Sequence, residues 1–161
     1  MNQDECREQL GRLMVEEEAA LSELSALLDR EHGFLTENDV VALEGVSQER
    51  QYCVARIFRV DEERRALCTQ VGYPLDPKGL EQLLLWCDPK GTLAPTWAKC
   101  SATALRCRSL NDRNGVLVGA RLKHVQERLG TLIAGRREPA TYGPRGIYSQ
   151  GTAGRVLATE A

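Results

Sequence analysis

The chain has 161 residues, enough for one domain and little more. Apolar residues make up 42% and charged residues 27%, which excludes wholesale disorder. Aromatics are only 5%, which favours long helices over a β-sandwich, and a net charge of −2 gives no whole-protein reason to bind nucleic acid or an anionic membrane.

The acidic start Met1-Asn2-Gln3-Asp4-Glu5 lacks the basic and apolar regions of a signal peptide, and no run of 18 apolar residues follows. A cytosolic protein without membrane insertion is expected. The six cysteines, Cys6, Cys53, Cys68, Cys87, Cys100 and Cys107, form no C-x-x-C pair. In a reducing compartment they read as free, buried thiols.

Residues 4–35 predict the first long helix. Met14, Leu21, Leu28 and Leu35 recur every seven residues, and Leu13, Ala20, Leu27 and Phe34 widen the stripe. Leu10 and Leu24 lie in a further column that Glu17 interrupts. Residues 1–35 carry nine acids against three bases, read as a solvated acidic face or as a means of steering a partner.

A second long helix is predicted from the cap region Glu37-Asn38-Asp39. Its stripe runs Val40, Leu43, Val46, Cys53, Val54, Ile57, Val60, Leu67, Cys68 and Val71, with Arg50 and Arg64 as interruptions. The short link makes the two helices an antiparallel hairpin, unless they run on through Gly33. Gly72-Tyr73-Pro74-Leu75-Asp76-Pro77 ends the second helix, and a short helix is expected over residues 78–87.

The last predicted helix covers residues 96–134. Its stripe reads Cys100, Ala104, Cys107, Asn111, Asn114, Val118, Leu122, Val125, Leu129 and Leu132. Unbroken phase favours one helix, although Asn114-Gly115 also resembles a turn that would break it at 111–115. On this reading Val118, Leu122, Val125 and Leu129 are buried against the first two helices. Were they exposed instead, they would form a groove for a partner. Leu110, Val116 and Leu117 lie beside the stripe, as bundle-boundary residues or as partner contacts. The reading is thus an all-α bundle of three long helices and one short over 1–134. A Gly/Pro-containing tail, 135–161, has no core of its own.

Catalytic chemistry is not apparent. His32 and His124 have no partners at metal-ligand spacing, no Gly-rich loop follows a strand, and Cys100 and Cys107 share a core face. No catalytic residue, metal or cofactor is expected. Asn111 and Asn114 are read as structural or partner-specifying.

Leu110-Asn111-x-x-Asn114-Gly115-x-Leu117-Val118, inside a long C-terminal helix, resembles the signature of the FlgN family of flagellar type III export chaperones. Asn38-Asp39-Val40-Val41-Ala42-Leu43, Trp97 and Thr141-Tyr142-Gly143-Pro144-Arg145-Gly146 agree in order and spacing. The resemblance implies a cytoplasmic bacterial chaperone without ATPase activity, built as a long antiparallel bundle with left-handed twist. Its implied clients are the hook–filament junction proteins FlgK and FlgL, delivered to the flagellar export apparatus. Candidate client contacts are Leu110, Asn111, Asn114, Leu117, Val118, Leu122, Val125 and Leu129. Tyr142, rather than Tyr148, is the candidate for docking on the export gate protein FlhA. The alternatives are a coiled-coil adaptor without an export role, and an incidental tyrosine in a disordered tail. Nucleic-acid binding through the arginines of the last helix is disfavoured by interspersed acids.

Overall fold

Local capping fixes both ends of the first two helices and the start of the third. In the computed structural model, which describes residues 1–135, the order is α1 (Gln3–Glu37), α2 (Val40–Val71), α3 (Pro77–Cys87) and α4 (Ala94–Gly135). The described residues are all-helical, as expected. Residues 136–161, and with them Tyr142, Tyr148 and nearly all of the expected tail, lie outside the described residues.

Asn2 caps α1 reciprocally: its Oδ1 accepts from the Glu5 N–H at 2.8 Å, and Glu5 Oε2 accepts from the Asn2 N–H at 3.0 Å. Asn38 ends α1 in the left-handed conformation, φ 62°, and Asp39 Oδ1 at once caps α2 through the Ala42 N–H. The link is therefore two residues long and the hairpin reading holds; Gly33 lies inside α1. Gly72, φ 87°, closes α2. Asp76 caps α3, with Pro77 in its first turn. Gly79 is needed there because a Cβ would stand 1.9 Å from the Pro74 carbonyl oxygen. α4 is one continuous helix through 111–115.

Packing divides the chain into two units, Met1–Arg121 and Leu122–Ala161. In the first, α1 is the shared element. Its residues Ala20 and Leu27 pack with Val46 and Cys53 of α2, while Leu21 and Leu28 pack with Cys100 and Cys107 of α4. Leu24 borders both clusters. A third cluster joins Leu10, Met14, Val60, Leu67 and Leu83, drawing in α3 with Leu93 and Trp97. Along α2 the buried residues Val46, Cys53, Val60 and Leu67 recur every seven positions, with buried Cys68 beside the last.

The interruptions in the stripes are matched charges. Glu17 meets Arg64 at 2.7 Å, and Glu31 meets Arg50 at 3.1 Å. Glu17 and Glu31 stand two heptads apart, as do Arg50 and Arg64, so one antiparallel register satisfies both. The run Glu16-Glu17-Glu18 fans round α1. Glu16 and Glu17 pair with Arg59 and Arg64 of α2, while Glu18 pairs with Lys99 of α4 at 3.0 Å. The solvated acidic face expected of α1 is in fact largely turned to basic side chains of its neighbours. All six cysteines are free and buried. No helix among the described residues is long and apolar enough to cross a membrane.

Candidate functional site

α4 carries two different faces. One is held to α1 by a polar ladder. Cys100 Sγ donates to the Met14 carbonyl at 3.3 Å, Cys107 Sγ to Leu21 at 3.3 Å, and Asn114 Nδ2 to Leu28 at 2.9 Å. Donors and acceptors both advance by seven, so α4 runs parallel to α1 in a single register. Small donors suit this seam because they let the two helices approach closely.

Asn114 is the most heavily bonded rung and is 3% exposed. Its amide also donates to Glu31 Oε2 at 2.8 Å, and its Oδ1 lies 3.1 Å from His32 Nδ1. Both amide hydrogens are committed, so Oδ1 accepts and His32 carries its proton on Nδ1. Glu31 in turn accepts from Arg50 of α2. One layer thus ties all three long helices together. Among the described residues, no buried side-chain nitrogen or oxygen lacks a partner. The last rung is Arg121, whose guanidinium reaches Asn38 Oδ1 at 2.7 Å and the Thr36 carbonyl at 3.5 Å.

This seam corrects the reading of α4 from sequence. Packing follows Cys100, Cys107, Asn114 and Arg121, flanked by half-buried Thr103, Leu110 and Leu117. Ala104 and Asn111 are exposed. Val118, Leu122, Val125 and Leu129, expected to be buried, are 51%, 58%, 52% and 52% exposed. Two lines of alternating steps of three and four share Cys100, Cys107 and Asn114. The one that packs has its third member on the side of the α1 carbonyls, so the other faces away. Leu110 packs on the Leu21, Leu28, Cys100 and Cys107 cluster as a boundary residue. The structure therefore brings Leu110, Asn114 and Leu117 to the α1 side, and leaves Asn111, Val118, Leu122, Val125 and Leu129 open. Leu132 and Ile133, 68% and 70% exposed, extend the open apolar line and were absent from the expected site.

Nothing in this arrangement favours covalent chemistry. Burial pushes every cysteine thiol up, that of Cys87 to about 12, so the thiols stay protonated at neutral pH. Among the described residues, no group of three or more His, Cys, Asp or Glu is placed to hold a metal ion.

Comparison with known families gives a match to the FlgN protein family over residues 1–150. No curated protein and no solved structure matches the chain. The match covers all four helices, including the Asn114 layer and the open line of α4, and the chain belongs to the FlgN family of flagellar export chaperones.

Proposed function

We propose that this chain is a cytoplasmic bacterial chaperone, neither an enzyme nor dependent on a cofactor. On this reading it holds hook–filament junction proteins, FlgK- or FlgL-like, and delivers them to the flagellar type III export apparatus. The family match supports the general role. The observation that carries the client-binding half is the open aliphatic line Leu122, Val125, Leu129 and Leu132 of the second unit; Val118, in the first unit, is also half exposed. Four aliphatic side chains at steps of three and four are what an amphipathic client helix needs to bury its own apolar face. Asn111, exposed in the first unit, offers an amide. Leu117 stands at the edge, while Leu110 and Asn114 serve by holding α4 on α1. The seven-residue period of the internal seams goes with a left-handed supercoil.

Delivery is assigned to Tyr142, in a Gly- and Pro-containing stretch that follows α4 in the sequence. A phenol there gives a large, rigid contact and a hydrogen bond to an FlhA-like gate protein. The test is a pull-down of FlgK- and FlgL-like proteins, intact and truncated at their C-terminal helices, followed by secretion assays with Tyr142→Ala. Capture of the intact client alone, with secretion reduced by the variant at matched protein levels, is expected. Failure to capture any client would return the chain to a structural adaptor role.

A further inference from the structure

The second unit is described over residues 122–135, and its large apolar residues, Ile133 apart, follow a narrow rule. Leu122, Val125, Leu129 and Leu132 are spaced three, four and three apart, the two-position seam of a coiled coil. All four are more than half exposed. Charge is placed unevenly around this line. Arg128 directly flanks it and Lys123 stands farther round, while the one acid, Glu127, falls on the opposite side of the helix. Arg136 and Arg137 follow in the sequence.

We infer that this face docks a single amphipathic helix whose seam-flanking positions are acidic. The inference rests on the chaperone reading and specifies the client chemistry that the site selects. A seam of this period is filled by another helix, since only a helix returns a side chain every three to four residues to the same line. Arg128 then sits where a coiled-coil partner presents its own flanking residue, and a carboxylate there gives attraction and faster encounter. A second copy of this chain fits poorly. It would bring Gln126, Ile133 or another arginine to Arg128, and no acid. An anionic membrane fits poorly as well. Beyond the two-position seam only Ile133 widens the apolar stripe, and residues 122–135 contain no aromatic side chain, whereas interfacial helices carry broad faces with Trp or Phe.

The test uses the full chain and two synthetic 21-residue probe helices with identical Leu seams. One carries Glu at the flanking positions and the other carries Lys. Fluorescence anisotropy should show the Glu probe binding at least about tenfold tighter at low salt, with the gap narrowing as salt rises. Arg128→Glu should shrink or invert that preference, and Leu129→Asp should abolish binding of both probes with unchanged circular dichroism. Equal binding of the two probes, or a preference for the Lys probe, overturns the inference. So does self-association through this face in sedimentation velocity, or co-sedimentation with phosphatidylserine vesicles that Leu129→Asp removes. A parallel pull-down separates the two levels. Client capture that is lost in Leu129→Asp but comes without any probe preference removes the charge rule and leaves the chaperone reading. Glu-probe preference without capture of any client does the reverse.

Discussion

Asn114 places three hydrogen-bond contacts in a layer where an aliphatic side chain would make none. Replacing it with Ala strips the partner from His32 Nδ1 and one partner from Glu31, both partly buried. We expect Asn114→Ala to lower unfolding free energy by about 1–3 kcal/mol in urea, with helical content retained. Asp88 makes a second residue-scale case. Its burial raises the carboxyl, but the Leu93 N–H and the Thr92 hydroxyl, each at 2.7 Å, outweigh that and hold it below the usual carboxylate range. A depressed carboxylate stabilises the fold above its unfolded value of about 3.9 and loses that contribution as pH falls through the lower folded value. Asp88→Ala should therefore be destabilising at pH 7, and its deficit relative to the parent should narrow once the pH is taken below about 4.

Charges within the seams act between elements. Glu17 and Arg64 are 13% and 15% exposed at their side chains, and the Arg64 guanidinium lies 5.9 Å from the Trp97 ring centroid while also meeting Asp61. Removing Glu17 alone leaves a poorly hydrated cation, so Glu17→Leu should cost about 1–3 kcal/mol. The double change Glu17→Leu with Arg64→Leu should recover much of that loss, and a double-mutant cycle in urea measures the coupling. Leu122→Ala should change stability by less than about 0.5 kcal/mol, since the side chain is 58% exposed. How far these elements could be read from sequence follows from the same residues. Val46, Cys53, Val60 and Leu67 were legible as members of a broader α2 stripe that also took in exposed Val40, and the stop at Gly72 was legible because capping is local. The pairing of Glu17 with Arg64 and Glu31 with Arg50 was legible in principle from their equal spacings, yet Glu17, Arg50 and Arg64 read alone are only interruptions and Glu31 only one more acid. The seam of α4 was misplaced because Ala104 is more apolar than Thr103 and Leu122 than Arg121, which outweighed the contrary signal of Leu110 against Asn111. What decides between the two lines is where the acceptors of α1 lie, since Cys100, Cys107 and Asn114 donate to the Met14, Leu21 and Leu28 carbonyls. The exposed line of α4 was therefore found as a pattern and assigned to the wrong environment.

At the scale of the whole molecule, α1 is the common wall of the first unit, and its acids match bases on both neighbours. Exposed pairs such as Arg30–Glu49 and Arg113–Asp29 add little stability each, but together they disfavour other registers. Leu122, Val125, Leu129 and Leu132 of α4 are all more than half exposed, and the proposed function makes this line the client surface. Isothermal titration of the full chain with an intact FlgK- or FlgL-like client, parent against the Leu122→Asp, Leu129→Asp double variant, tests this most directly. The account predicts measurable binding by the parent and a loss of at least about 100-fold in the variant, with the same unfolding midpoint for both; equal affinities would contradict it.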